Sequence, residues 1–294
     1  MKRTAIYATF SNMKIAIAQI APLLGDIKKN FQIHSDLVEK AKAKNVDLLV
    51  FPELSLTGYT LQDLVPDVAL KPGKAAIFKR LSGLSKAMSL VVGFVEEKEQ
   101  GLFFNSAAFL SGGKIQHIHR KVFLPNYAMF EELKFFGQGR NFHTFSSPFG
   151  KTGMQICYDF LHYGASYLLF AGGAELIIVI SAAPGRGTSA SEGWDTSYMW
   201  ELMGETISRF SQAFVIYANR VGSEDGKSFA GGSFIYSPAG QLMTKASYCN
   251  EELLIQDIDI NEIREIRKKW PYKRDEKPEI ICEALKRIIS KDED

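Results

Sequence analysis

MKIAIAQ at residues 13–19 is the first of three short aliphatic runs, and it is followed by DLLVF at 47–51 and LVVGFV at 90–95. Such runs are typical of strands that are buried on both faces. Between them, apolar residues recur at helical spacing over residues 28–44 and 74–88. The first third of the chain therefore predicts a β-α-β-α-β unit in which helices cover a sheet.

The remainder of the chain continues this alternation and adds two hairpins. One is predicted from FNSAAFL and KIQHIH on either side of SGG at 111–113, and the other from GSFIYSPAGQLM around its Pro-Ala-Gly turn. The further elements are strands at 152–156, 175–180, 214–218 and 253–260, and helices near 163–171 and 195–212. We therefore expect an α/β fold in which residues 13–294 form a single domain and residues 1–12 form an N-terminal extension.

Composition and charge exclude several classes of protein. The 294 residues are 46% apolar and 23% charged, which is close to the average of globular proteins. The formal net charge of +2 does not favour nucleic acid or an anionic membrane as a partner. No apolar run reaches the roughly 18 residues that cross a bilayer, and the N-terminus lacks the apolar centre of a secretory signal. Because three cysteines are too few for a disulfide framework, we expect a cytoplasmic protein.

Three residues with chemically active side chains lie just beyond predicted strands. Glu53 follows DLLVF, Cys157 follows TGMQI, and Lys121 follows the second strand of the first hairpin. The carboxyl ends of strands are where α/β proteins build their sites. A thiol, a carboxylate and an ammonium form a plausible set for covalent catalysis, although each alone is more often a buried thiol or a surface charge.

Three longer motifs contain these residues: FPELSLTGY at 51–59, HRKVFLPNYAMFEE at 119–132 and MQICYDF at 154–160. With weaker matches in YANRVGSE at 217–224 and FAGGSFIYSPAGQL at 229–242, the sequence resembles the nitrilase, or carbon–nitrogen hydrolase, superfamily. The resemblance implies a four-layer αββα sandwich of two sheets. It also implies a homodimer or a higher homo-oligomer in which subunits pack through their outer helices.

The same resemblance implies the roles of five residues. The Glu–Lys–Cys triad of the family falls on Glu53, Lys121 and Cys157, and its second glutamate falls on Glu132. Cys157 would attack an amide or nitrile carbon while Glu53 takes the thiol proton. Lys121 and the backbone N–H of Tyr158 would stabilise the oxyanion. A neighbouring lysine and a following helix N-terminus would favour the thiolate form of Cys157.

Residues that would bind the substrate are predicted from their closeness in sequence to this set and from the loop at 181–200. The candidates are Tyr59, Tyr127, Phe130, Ser181, Arg186 and Trp194. Arg186 could pair with a substrate carboxylate, whereas Glu192 or Asp195 could instead meet a cationic amine. A packing or surface role is equally compatible with each of these side chains.

The sequence predicts neither a cofactor nor a metal site. GRGTSA at 185–190 is separated from the preceding strand by SAAP, and GSEDGKS at 222–228 has too few residues between its glycines. Neither motif therefore predicts nucleotide binding. His117 and His119 lack further ligands at the spacing that a metal site needs.

We therefore expect a cofactor-independent thiol hydrolase of linear, non-peptide C–N bonds in a small molecule, most simply an amidase that releases ammonia. FPELSLTGYTLQDL most resembles the glutaminase domain of glutamine-dependent NAD synthetases. A nitrilase, an N-carbamoyl amine hydrolase, an ammonia-supplying subunit and a non-catalytic subunit are the alternatives. Replacing Lys121 by Ala is expected to slow acylation at little cost to folding.

Overall fold

The structure is a computed structural model that describes residues 12–187 and 194–290. Its strands are β1 (Asn12–Gln19), β2 (Leu48–Val50), β3 (Ser89–Glu99), β4 (Leu102–Ser111), β5 (Lys114–Arg120), β6 (Phe145–Ser147), β7 (Gly150–Ile156), β8 (Leu176–Ser181), β9 (Phe214–Asn219), β10 (Ser223–Glu224), β11 (Lys227–Ser228), β12 (Phe234–Tyr236), β13 (Leu242–Lys245) and β14 (Glu252–Asp259). They form two six-stranded sheets, in the orders β14-β1-β2-β3-β4-β5 and β13-β12-β9-β8-β7-β6, and a ribbon of β10 and β11.

The helices alternate with these strands along most of the chain. They are α1 (Ile27–Lys42), α2 (Val65–Val68), α3 (Ala76–Leu84), α4 (Glu132–Phe135), α5 (Tyr163–Ala171), α6 (Asp195–Ser211), α7 (Asn261–Lys269), α8 (Tyr272–Asp275) and α9 (Pro278–Ile289). The side chain of Asp26 caps α1 by accepting the backbone N–H of Lys29 at 3.0 Å. None of the helices in the described ranges is long and apolar enough to cross a membrane.

Each sheet is parallel at its centre and antiparallel at its edges. In the first sheet β1, β2 and β3 run parallel, and in the second β7, β8 and β9 do so. The strands β2, β8 and β9 are buried along their whole length. Because parallel strands need crossover connections, helices return over the outer faces of both sheets.

The main core lies between the two sheets. Ile15, Ile17 and Val50 from the first sheet belong to the same apolar cluster as Met154 and Ile156 from the second. The intervening side chains of β1 and β2 point to the opposite face, as the alternation of a strand requires. Facing sheets with one shared core are the two inner layers of a sandwich.

Helices form the two outer layers. Phe31 of α1 and Phe78 and Leu81 of α3 pack on the outer face of the first sheet. On the second sheet, Trp200 of α6 stacks on Tyr217 of β9 with a centroid distance of 5.4 Å. The predicted α/β fold, a four-layer αββα sandwich, is confirmed.

The predicted elements differ from the observed ones mainly at their ends. β1 begins at Asn12 and residues 1–11 lie outside the described ranges, so the extension and the domain boundary stay predictions. β2 ends before Pro52, which has no N–H to continue the ladder. α3 is shorter than the predicted 74–88 helix because a hydrogen-bonded turn from Lys71 to Ala75 precedes it.

Candidate active site

Side chains from both sheets meet at the ends of their strands. Glu53 lies just after β2, and Lys121 directly follows β5 of the same sheet. Cys157 directly follows β7 of the second sheet, and Glu132 opens α4. The backbone N–H of Glu53 donates to the carbonyl of Ser181 at the end of β8, at 3.4 Å, and so links the two sheets at this point.

The ammonium group of Lys121 lies between two buried carboxylates. Its Nζ is 2.8 Å from Glu53 Oε1 and 2.7 Å from Glu132 Oε1. Burial alone would lower the pKa of Lys121, but Glu132 and Glu53 outweigh it and hold this pKa above its ordinary value. Burial, together with repulsion from Glu53, raises the pKa of Glu132 to about 7 against the attraction of Lys121. The lysine is therefore charged.

The carboxylate of Glu53 is fixed by two further donors. Asn105 Nδ2 donates to Oε1 and the backbone N–H of Ala182 donates to Oε2, each at 2.7 Å. The sequence reasoning did not single out Asn105, which lies on β4. The loop that carries Glu53 also packs directly on β3, where a Cβ at Gly93 would lie 2.3 Å from the backbone nitrogen of Leu54. Glycine is required there because the two backbones approach so closely.

Cys157 occupies a strained turn. Its φ of +46° is a left-handed conformation, which is unusual for a residue with a side chain and is often found at functional sites. A 3₁₀ turn over Cys157–Leu161 follows. The first N–H groups of a helical turn have no acceptor within the turn, and the N–H of Tyr158 is one of them. It lies directly beside Cys157, where the sequence predicts an oxyanion contact.

The surroundings of Cys157 favour the protonated form of its thiol. Burial, followed by repulsion from Glu53, raises its pKa well above the ordinary value, and Lys121 and the Ser181 hydroxyl offset this only in part. Lys121 thus favours the thiolate, as the sequence predicts, but burial and Glu53 together outweigh it. The contribution of the helix N-terminus stays a prediction.

A family profile described as carbon–nitrogen hydrolase matches residues 14–268, which include every side chain of this site. The chain belongs to the carbon–nitrogen hydrolase family. The predicted family is thereby confirmed, and hydrolysis of C–N bonds is the class of reaction that the family performs.

This carbon–nitrogen hydrolase is 32% identical to a glutamine-dependent NAD(+) synthetase of Acinetobacter baylyi, over 86% of its own chain and 45% of the synthetase. It thus spans about half the length of that relative. It is 28% identical to a probable nitrilase of Schizosaccharomyces pombe, over 94% of its own chain and 98% of the relative. The solved carbon–nitrogen hydrolase of Helicobacter pylori superposes with a TM-score of 0.82 at 26% identity, covering 94% of this chain and 99% of the other.

Beside Cys157, aromatic side chains form one wall of the hydrolase's site. The ring of Tyr127 lies 5.7 Å from that of Tyr158 and 5.4 Å from that of Phe130. Arg186 Cζ lies 5.8 Å from the centroid of Phe130. Burial raises the pKa of Tyr127, the charges of Tyr158 and Cys157 add to the rise, and Arg186 opposes it. The structure therefore brings Tyr127, Phe130 and Arg186 together beside Tyr158, and their role in substrate binding stays a prediction.

Two other predicted substrate residues make contacts within the hydrolase's own buried network. The hydroxyl of Tyr59 donates to Glu132 Oε1 at 2.6 Å. Ser181 is fully buried, and its Oγ accepts the hydroxyl of Tyr217 at 3.1 Å. These contacts direct Tyr59 to Glu132 and Ser181 to the surroundings of Cys157.

The predicted loop at 181–200 includes the end of β8 and the start of α6, and the residues at the start of α6 pack on the segment that follows β8. The ring of Trp194 covers the backbone of Gly185, where a Cβ would lie 2.5 Å from the indole. The carboxylate of Asp195 lies against Gly187 in the same way. Glu192, the other predicted contact for an amine, lies outside the described residues. Trp194 and Asp195 thus shape the loop that carries Arg186.

Asp159 is a residue of this hydrolase that the sequence reasoning missed. It is fully buried and accepts four hydrogen bonds. The donors are the backbone N–H groups of Val122 (3.0 Å), Phe123 (2.9 Å) and Ile156 (3.1 Å), and Nε2 of His119 (2.9 Å). Asp159 therefore ties the segment after Lys121 to the turn that carries Cys157. A charged side chain within the otherwise uncharged MQICYDF was the signal that could have identified it.

Among the described residues, His, Cys, Asp and Glu form no group of three or more that could hold a metal ion. His119 is instead paired with Asp159. His117 stacks on Phe145 with a centroid distance of 4.3 Å and lies edge-on to His143. These histidines are therefore accounted for by packing and by one hydrogen bond.

Proposed function

We propose that this protein is a cofactor-independent thiol hydrolase of small, non-peptide amides, which releases ammonia and a carboxylic acid through a thioester at Cys157. The observation that carries the proposal is the buried ammonium of Lys121, within 2.8 Å of both Glu53 and Glu132 and close to the thiol. An ammonium in this place stabilises negative charge on a carbonyl oxygen, and a carboxylate beside a protonated thiol is a suitable base.

Acylation starts from the protonated thiol. Glu53 accepts the proton while Cys157 Sγ attacks the amide carbon, and the carbonyl oxygen becomes an oxyanion. Lys121 and the backbone N–H of Tyr158 stabilise this oxyanion. When the C–N bond breaks, Glu53 returns the proton to the leaving nitrogen and ammonia departs.

Deacylation hydrolyses the thioester by the same route. Glu53 takes a proton from a water molecule whose oxygen attacks the thioester carbon, and the oxyanion contacts are used again. The C–S bond then breaks, the proton returns to the sulfur of Cys157, and the carboxylic acid leaves. Glu132 holds Lys121 in place throughout, with its own carboxylate held by Tyr59.

The proposal is tested by ammonia release from a panel of substrates. The panel holds glutamine, ω-amides of dicarboxylic acids, N-carbamoyl amines, aliphatic amides and nitriles. We expect the wild type to release ammonia from an amide, and Cys157→Ala to release none and to form no acyl adduct in intact-mass measurements. Cys249→Ala is the matched control because it removes an exposed thiol, and it should keep the wild-type turnover.

Each other outcome assigns one of the alternatives. Release from a nitrile or an N-carbamoyl amine, but from no amide, would replace the amidase by that activity. Release that needs an added partner protein would indicate an ammonia-supplying subunit. A wild type that hydrolyses no member of the panel and forms no adduct at Cys157 would contradict the proposal and favour a non-catalytic subunit.

We also propose that two copies of the chain associate through the face formed by α5, α6 and α9. This face exposes large apolar side chains: Leu168, Tyr198, Phe210, Ile280 and Ile289. A groove of about 940 Å³, lined by parts of α5, α6, α8 and α9, lies on the same face and outside the catalytic group. Exposed apolar patches of this kind mark interaction sites. Light scattering should give the mass of a dimer, and a monomeric mass would contradict the association.

A further inference from the structure

A buried carboxylate outside the catalytic group holds the segment that carries Tyr59. Oε1 of Glu224 accepts the backbone N–H of Tyr59 at 2.9 Å and also the backbone N–H of Thr60. Glu224 is 7% exposed, so water screens these contacts little. Because hydrogen bonds to an ionised oxygen are strong, two adjacent donors on one oxygen fix both the position and the direction of the backbone.

The second oxygen of Glu224 is held by Arg220. Arg220 Nη1 lies 2.7 Å from Oε2, and its side chain is 1% exposed. The guanidinium also lies 4.0 Å from the ring centroid of Phe229, which meets the ring of Tyr59 edge-on at 5.9 Å. A buried ion pair contributes little net stability compared with apolar side chains, since both charges lose their hydration. The pair is therefore better explained by the backbone of Tyr59 and Thr60, which it holds in place, than by a contribution to stability.

From Tyr59 the contacts continue to the catalytic lysine. The hydroxyl of Tyr59 donates to Glu132 Oε1 at 2.6 Å, and the same oxygen accepts Lys121 Nζ at 2.7 Å. The ring of Tyr59 thus connects a backbone fixed by Glu224 to the carboxylate that orients Lys121. A shift of that backbone would withdraw the hydroxyl and leave Glu132 with one fewer donor to define its position.

We propose that Glu224, itself held by Arg220, is a positioning residue that fixes Lys121 for oxyanion stabilisation through Tyr59 and Glu132. The inference rests on the proposed amide hydrolysis, because that reaction gives Lys121 its role. The oxyanion exists in the transition state and not in the bound substrate, so loss of the positioning lowers kcat and leaves KM nearly unchanged.

A double-mutant cycle of Glu224→Gln and Tyr59→Phe tests the proposal. Kinetics are measured on the best amide of the panel, and rates are divided by the concentration of Cys157 that can be acylated, so that unfolded protein does not count. We expect each single variant to lower kcat about tenfold, the value of one hydrogen bond to a charged group, with KM within about twofold. The double variant should resemble the single ones, because both changes interrupt the same line of contacts.

Glu201→Gln is the matched control, since it removes a carboxylate that is paired with Lys245 and lies on α6. It should keep the wild-type kcat. Wild-type kcat in Glu224→Gln, or losses that multiply to about 100-fold in the double variant, would overturn the proposal. If Glu224→Gln does not fold, Arg220→Lys takes its place in the cycle, because it keeps the charge but shortens the reach to Glu224.

Failure of the proposed function is distinguishable from failure of this inference. If the wild type hydrolyses no amide, the proposed function fails. The double-mutant cycle then uses the rate at which iodoacetamide alkylates Cys157 in place of kcat. Lys121 favours the thiolate that reacts, so displacement of Lys121 slows this alkylation. If the double variant is alkylated about as fast as each single variant, the positioning role is supported. If the two decreases in alkylation rate multiply in the double variant, the positioning role is refuted.

Discussion

Lys121→Met removes the ammonium between two buried carboxylates and keeps a side chain of similar length. Glu53 is fully buried, Glu132 is 4% exposed, and both lie within 2.8 Å of Nζ. After the replacement, these carboxylates face each other without a cation and with little access to water. We therefore expect a large loss of stability in addition to the loss of activity, in contrast to the small folding cost that the sequence alone predicts.

The expected size of the loss follows from the burial. Removing one partner of a buried ion pair costs about 3–5 kcal/mol, because the remaining charge stays buried without compensation. Glu53 keeps the donors Asn105 and Ala182, and Glu132 keeps Tyr59, which limits the loss to this range rather than doubling it. The free energy of unfolding at pH 8 should thus fall by about 3–5 kcal/mol, from a typical total of about 5–15 kcal/mol.

The loss depends on pH with a definite sign. In the wild type, burial raises the pKa of Glu132 to about 7, and removal of the attraction of Lys121 raises it further. A folded state whose carboxylate has a raised pKa takes up a proton that the unfolded chain does not hold, so it gains stability as the pH falls. The deficit of Lys121→Met should therefore be larger at pH 8 than at pH 5.5. Urea unfolding followed by circular dichroism at both pH values measures it.

Lys268→Met is the matched control for this measurement. Its pair with Glu265 is exposed to solvent, so its removal should leave the free energy of unfolding nearly unchanged. The double variant Lys121→Met/Glu132→Gln should be more stable than Lys121→Met, because it buries one uncompensated charge fewer. A loss below about 1 kcal/mol in Lys121→Met at pH 8, or an equal loss at the two pH values, would refute the reasoning.

Three further predictions concern residues around this group. Asp159→Asn keeps one acceptor oxygen for four N–H donors, so the free energy of unfolding, measured in urea, should fall by about 2–6 kcal/mol. A fall of less than about 1 kcal/mol would contradict the importance of these four hydrogen bonds. As the pH falls from about 7 towards 4.5, the wild type should gain up to about 3 kcal/mol in its free energy of unfolding, because Glu132 takes up a proton in the folded state. Glu132→Gln should lack this gain, since an amide does not titrate in that range. A variant whose stability depends on pH as that of the wild type does would contradict the prediction. Tyr217→Phe removes the donor to Ser181 Oγ and weakens the network beside Cys157, so iodoacetamide should alkylate the thiol about two- to fivefold more slowly; an unchanged rate would exclude this contribution.

Features that depend on neighbouring residues could be predicted from the sequence. The spacing of apolar residues predicted β7 and α5, which the structure places at Gly150–Ile156 and Tyr163–Ala171. Motifs singled out Glu53, Lys121 and Cys157 as candidate catalytic residues, because each lies within a recognisable local pattern. The pairing of β14 with β1 could not be predicted, since those strands are more than 200 residues apart and neither specifies its partner locally.

The sequence by itself determined the order of the elements and the family, and it singled out candidates for the reacting groups, because these properties reside in short segments. The tertiary structure decided what surrounds each group. It places Lys121 between two carboxylates, it buries Cys157 so that the pKa of the thiol is raised, and it directs Tyr59 to Glu132. The physical reason is that a pKa or a hydrogen bond depends on burial and on charges within a few ångströms, and chain folding brings those charges from distant positions in the sequence.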